Sequence, residues 1–252
     1  SPSQRLDKAV IAIMGKDRYQ ALAGILMIGT RAAVDNIPAF PKGLPQTACT
    51  NGRDEWYNNK FIDGLTDAEL RGLVLHENYH KMYRHLISWY DLAMLDRECE
   101  MQATDYVINI KIYDENKDGF AVLPKGGLLK DKYRGWNVAE VFNELHKAKQ
   151  GKGKGEGEGE GEGKGEGKGE GKGEGEGEGE GEGEGEGKGG IPRSLDHHDY
   201  EGANKLTEEE EKDLTKEIDE AIRQGALMAG SSGTGGDRDL EELLEPQVDW
   251  RQ

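Results

Sequence analysis

Cysteine is nearly absent from this chain of 252 residues: Cys49 and Cys99 are the two it has, and neither belongs to a CxxC pair. A disulfide framework and a zinc ribbon are therefore excluded, and a reducing, cytoplasmic setting is the expectation. Long apolar runs are missing as well. The longest, Ala21 to Gly29, is about half of what a bilayer requires, and no charged-then-apolar leader follows Ser1, so no membrane association is expected. Basic clusters are lacking too. With 33 Lys and Arg against 50 Asp and Glu, and a net charge of −17, the chain has no positive face for phosphates, which argues against nucleic acid as a partner. Apolar residues make up 34%, below the roughly 45–50% of ordinary globular domains, so part of the chain cannot be packed.

That part is residues 151–190, which hold 21 glycines, 13 glutamates, 6 lysines and nothing else. Setting it aside lowers the glycine count from 38 to 17 and the net charge from −17 to −10, an ordinary acidic globular composition. The alternation of Gly with Glu or Lys has the period of a strand but offers no apolar face to bury, so a disordered linker is expected. Matches to GxGxxG inside it have no strand before and no helix after, and carry no nucleotide-loop reading. The organisation expected is a domain over residues 1–150, the linker over 151–190, and an acidic helical segment over 191–252 packing on or following the domain.

Apolar positions Leu6, Val10, Ile13 and Met14, then Leu22, Ile25, Leu26 and Ile28, suit two helices before the prolines at 38, 41 and 45. TNGRDEWYNNKFI, Thr50 to Ile62, reads as a small hairpin or edge strand around Trp56 and Tyr57, and such an edge would align an extended peptide. Thr66 with Glu69 forms a capping box, and Leu65 with Leu70 a hydrophobic staple, opening a helix that runs to about Leu86. Further helices are expected over Leu92 to Ile112, Val138 to Lys147 and Thr207 to Gly225, the last opened by a second capping box, Thr207 with Glu210.

The chemistry lies in the helix after Thr66. His76, Glu77, Asn78, Tyr79 and His80 form an HExxH. At about 100° per residue the two histidines stand roughly 40° apart on one face, so both imidazoles can reach one tetrahedral Zn2+, with Glu77 beside them. Zinc acidifies a water and polarises a carbonyl, and the glutamate moves the proton to the leaving amine. Leu70 and Leu73 share the sector with the histidines, which marks that face as buried.

A catalytic zinc needs a third protein ligand and an open position. His85 lies about 140° around from His80 on a continuous helix, with no glycine to break it, and is expected to be structural. On the next helix, Glu98, Gln102, Asp105 and Asn109 fall within about 60° of one another among Met101, Val107, Ile108 and Ile110. A carboxylate on so apolar a helix wants a cation or a donor; Asp105 or Glu98 could ligate, the other orienting a histidine from behind.

The ordered set, TNGRDEWYNNKFI, LTDAELRGLVLHENYHKMYRH, ATDYVINIKI, LPKGGLLKDKYRGWNVAEVFNEL, the Gly/Glu/Lys insert, LDHHDYEGANKLTEEE and PQVDWRQ, resembles the metallopeptidase domain that precedes a von Willebrand A-like domain in bacterial and phage proteins. The resemblance covers nearly all of the chain outside the insert. It implies metal binding by His76 and His80, catalysis by Glu77, Asp105 as the favoured third ligand, and support of the helix or site by Asn109. The chain ends at Trp250, Arg251 and Gln252, about where family members continue into the A-like domain, which implies a truncated chain or a peptidase half whose partner is an A-like domain.

Two other patterns are weaker. Asp114 to Gly119 matches the first half of an EF-hand loop, but Lys125 stands where a bidentate glutamate is required, so a turn is expected. Asp196, His197, His198 and Asp199 follow the linker; the segment is expected at the surface, or folds back to bring His198 to the cleft as a transition-state donor or a fourth ligand. The whole reads as an α+β, mainly α, zincin-like domain that holds one Zn2+ and hydrolyses peptides or proteins. The alternative is a non-catalytic, metal-stabilised assembly module.

Overall fold

The computed structural model describes residues 1–38, 40–153, 197–203 and 206–231. The expected disorder of the Gly/Glu/Lys segment concerns residues that, beyond 153, lie outside the described ones, as does the terminal PQVDWRQ. Helix α1 (Pro2–Met14) starts with a capping box between Ser1 and Gln4, and buries Leu6, Val10 and Ile13, the face its spacing predicts. The second helix expected in this region is corrected: Asp17–Leu22 is a 3₁₀ helix, Ala23–Leu26 (α2) is one α-helical turn, and Arg31–Val34 is a strand, β1. RAAV has no alternation to announce a strand; pairing with its neighbour decides its state.

The sheet has the order β1-β3-β2-β4 among the described residues. Strands β2 (Ala48–Thr50) and β3 (Glu55–Asn58) form the expected hairpin, antiparallel with Cys49 opposite Trp56. Its turn is held by the Asn51 carboxamide oxygen, which accepts from the amides of Arg53 and Asp54 at 2.9 and 2.7 Å. The edge-strand reading of the Trp56 region is overturned. β3 pairs with β1 on one side and β2 on the other, and β2 is covered by β4 (His197–His198), parallel with Thr50 opposite His198. A strand bonded on both sides has no main-chain groups left for a peptide.

After α3 (Asn59–Gly64), α4 (Asp67–Met82) opens on the Thr66–Glu69 capping box and is buried almost all round from Gly72 to Met82. Gly72 is required there: a Cβ would lie 2.0 Å from the Val122 carbonyl oxygen, where the chain after the next long helix crosses. The helix ends earlier than expected. Arg84 is left-handed, with φ 53° and ψ 39°, and a new turn, α5 (His85–Ser88), leaves in another direction.

Helix α6 (Tyr90–Glu115) is two helices joined at Asp96, whose φ of −156° and ψ of 94° are extended; its carboxylate accepts from the Cys99 amide at 3.2 Å and so caps the second part. Helix α7 (Val138–Gly153) packs on it through Val138, Val141 and Phe142 against Cys99, Ala103, Tyr106 and Ile110. A short turn, α8 (Tyr200–Ala203), precedes α9 (Glu208–Ser231), which sends Leu214, Ile218 and Ile222 into the main core beside Leu22, Ile25 and Leu26. The architecture is mainly helical with one small sheet, as expected.

Candidate metal centre

Helix α4 presents His76 and His80 one turn apart, and α6 crosses it with Asp105. Their donor atoms converge: His76 Nε2 and His80 Nε2 are 3.1 Å apart, and Asp105 Oδ1 lies 3.6 and 3.3 Å from them. Donors at the corners of a tetrahedron around an ion bound at about 2.0–2.1 Å stand about 3.3–3.4 Å apart. Two imidazoles and a carboxylate at that spacing, all buried, fit a zinc-type ion.

The ring of His76 is held from behind. Its Nδ1 lies 2.9 Å from Asn109 Oδ1, and the Asn109 amide in turn donates to the Leu128 carbonyl at 3.0 Å. That second bond fixes which end of the carboxamide is oxygen, so His76 carries its proton on Nδ1 and turns the Nε2 lone pair toward His80 and Asp105. Behind His80, the His85 ring brings its Nδ1 to 3.1 Å from His80 Nδ1.

The helix is tied to the sheet by a buried ion cluster that the sequence did not mark. Glu55 on β3 accepts from Lys81 Nζ at 2.5 Å, from Arg31 at 3.0 Å through two nitrogens, from the Tyr57 hydroxyl at 2.6 Å and from Asn78 at 3.1 Å. Burial alone pushes the Glu55 carboxyl up, but Lys81 and Arg31 outweigh it and hold the group below the usual range. Glu77 is fully buried in the same region. The Tyr57 phenol is driven well above its ordinary value first by burial, then by the charge of Glu55 and more weakly by that of Glu77.

The segment after the linker reaches the site. Asp199 N donates to the Thr50 carbonyl at 2.9 Å, Arg97 donates to the His198 carbonyl at 2.6 Å and stacks over Tyr200, and the Tyr200 hydroxyl donates to buried Glu100. These contacts bury His198 with its Nε2 3.3 Å from His80 Nε2. His198 nonetheless stands outside the three-residue group whose donor atoms all lie within 4.8 Å of one another. The surface position expected for this segment is thus replaced by the folded-back one.

Glu98 is not brought to the site. Its carboxylate meets Lys149 of α7 at 3.0 Å and its side chain is 48% exposed; it shares a face with Asp105 but stands seven residues, about 10 Å, before it along the helix. Gln102, Asp105 and Asn109 keep the buried face. A second donor group, Asp96, Cys99 and His146, lies at that junction. Asp96 is already bonded to Lys149 at 2.9 Å and caps the helix, and burial, with Asp96 adding, pushes the Cys99 thiol up to about 11, so it offers no thiolate. The EF-hand-like stretch is a turn. Its Asp118 pairs with Arg18 and Lys16 at 2.8 and 3.3 Å.

A buried pair of histidines one helical turn apart, completed by a carboxylate from a crossing helix, is a donor set that metal-dependent hydrolases use. The chain belongs to the family described as "Putative metallopeptidase domain", whose model matches residues 1–252. No curated protein and no solved structure matches it. Among the described residues no helix is long and apolar enough to cross a membrane.

Proposed function

We propose that the protein hydrolyses peptide bonds with one zinc ion held by His76 Nε2, His80 Nε2 and Asp105. The observation that carries this is the spacing of the three donors, 3.1 to 3.6 Å, in a buried site. When bound, the ion supplies Lewis acidity to a water and to the scissile carbonyl. Glu77 takes a proton from the attacking water as the water oxygen bonds to the carbonyl carbon, and delivers it to the amine nitrogen as the C–N bond breaks. His198, anchored by β4 and Arg97, donates a hydrogen bond to the carbonyl oxygen as that atom gains charge. Glu77→Gln keeps the shape and removes the base. The variant should retain its zinc and lose about 10²–10⁴-fold in cleavage of an unstructured protein substrate such as casein. Equal rates in both forms exclude Glu77 as the base.

One observation favours a second reading, a non-catalytic metal-stabilised module: His198 lies 3.3 Å from His80. If its Nε2 is a fourth ligand, the ion is closed off and structural. His198→Ala separates the two, losing zinc if the residue ligates and losing only turnover if it stabilises charge.

A further inference from the structure

Arg84 is the one non-glycine residue with positive φ among the described residues. A side chain in the left-handed region costs of order 1–3 kcal/mol and persists where its surroundings hold it. Here Arg84 Nη1 donates to Asp219 Oδ1 of α9 at 2.7 Å, in a half-buried pair. The turn so held redirects the chain after α4. On a continuous helix His85 would point about 140° away from His80; instead its Nδ1 faces His80 Nδ1 at 3.1 Å, with the rings 5.0 Å apart and 79° between their planes. The His85 ring is buried and stacks on Tyr83 at 16°.

We infer that His85 is a positioning residue for His80: its Nδ1 accepts the Nδ1–H of His80 and so fixes the tautomer whose Nε2 lone pair faces His76 and Asp105. A contact between two ring nitrogens needs one proton, and its owner decides what His80 can do. If His85 donates, a neutral His80 carries its proton on Nε2, aimed into the donor group, and cannot ligate there. If His80 donates, its Nε2 is an acceptor, as Asn109 makes that of His76. The two ligands of α4 are then oriented by different devices, a carboxamide from α6 and an imidazole brought round by a left-handed turn. The inference rests on the metal-site reading of His76, His80 and Asp105.

The test is zinc affinity of the full chain, by competition with a chromophoric chelator. His85→Phe keeps a ring and removes the acceptor, and should weaken zinc binding about 10–100-fold, the usual effect of losing an orienting partner. His85→Asn fills less space but places Oδ1 where Nδ1 stood, and should restore most of the affinity. A role in packing alone would rank the two the other way, so Phe at wild-type affinity, or Asn no better than Phe, overturns the inference. Independently of any variant, ¹⁵N spectra of the zinc-loaded wild type should show His80 protonated at Nδ1 and His85 at Nε2; His85 protonated at Nδ1 overturns it. Failure of the wild type to take up zinc sinks the underlying metal-site reading instead.

Discussion

Two imidazole nitrogens 3.1 Å apart with a carboxylate oxygen at 3.3 and 3.6 Å make a site in which each histidine is backed by another element, Asn109 of α6 behind His76 and His85 of α5 behind His80, while Asp105 stands on the buried face of α6. The histidine pair was legible in the sequence because helical geometry alone puts residues four apart on one face. The third donor was not, since Glu98 and Asp105 share a face on an unbroken helix; the family resemblance selected Asp105. The structure places Glu98 on Lys149, two helical turns before Asp105 along the same helix, so a shared face does not mean a shared site. Asp105→Ala should therefore release zinc under mild chelation, while Glu98→Ala should bind within a few-fold of wild type. A zinc-sensitive dye reads both, and the reverse order would contradict the assignment. The place of His85 behind His80 was not legible because nothing in the residues Tyr83, Arg84 and His85 announces a left-handed turn, and the side-chain anchor of that turn, Asp219, is 135 residues away.

Among the elements, α4 is the one whose placement decides the chemistry, and two features fix it. Gly72 lets the chain at Val122 cross it closely, where any side chain would meet backbone. The Glu55 cluster clamps its C-terminal half to β3. Lys81 is fully buried, so removing its partner leaves a charge without compensation. Glu55→Gln should cost about 3–5 kcal/mol, measured by urea unfolding at pH 7. The pH dependence has a definite sign. The Glu55 carboxyl is held below its ordinary 4.5, so its contribution is complete above that value and is lost as pH falls through the lower folded value. Wild-type stability should drop steeply below about pH 4.5, and Glu55→Gln should flatten that limb. An unchanged acid limb would remove Glu55 from the account. The hairpin was readable from its Asn-Gly turn, but β1 and β4 were not: RAAV and a pair of histidines become strands through their partners.

The chain on both sides of the Gly/Glu/Lys insert builds one core. Helix α9 was legible as an amphipathic helix from its capping box and its Leu214, Ile218 and Ile222 face; where that face goes was not, because periodicity names no partner. It lies on the Asp17–Leu22 turn and α2, and so closely that a Cβ on Gly225 would meet the Ala21 carbonyl oxygen at 2.2 Å. Ile218→Ala should cost about 2–5 kcal/mol, read as a shift of the denaturation midpoint at constant slope. A chain ended after residue 153 should lose both cooperative unfolding and zinc, since it lacks this helix and the Asp219 anchor of the turn behind His80. Retention of a cooperative transition and of zinc by the shortened chain would show that the core closes without the C-terminal segment.

The central claim, that His76, His80 and Asp105 hold one zinc ion, is tested most directly by anomalous diffraction at the zinc edge from crystals of the full chain. The account predicts a single strong peak between His76 Nε2, His80 Nε2 and Asp105 Oδ1. No peak there, or a peak at Asp96, Cys99 and His146 instead, contradicts it.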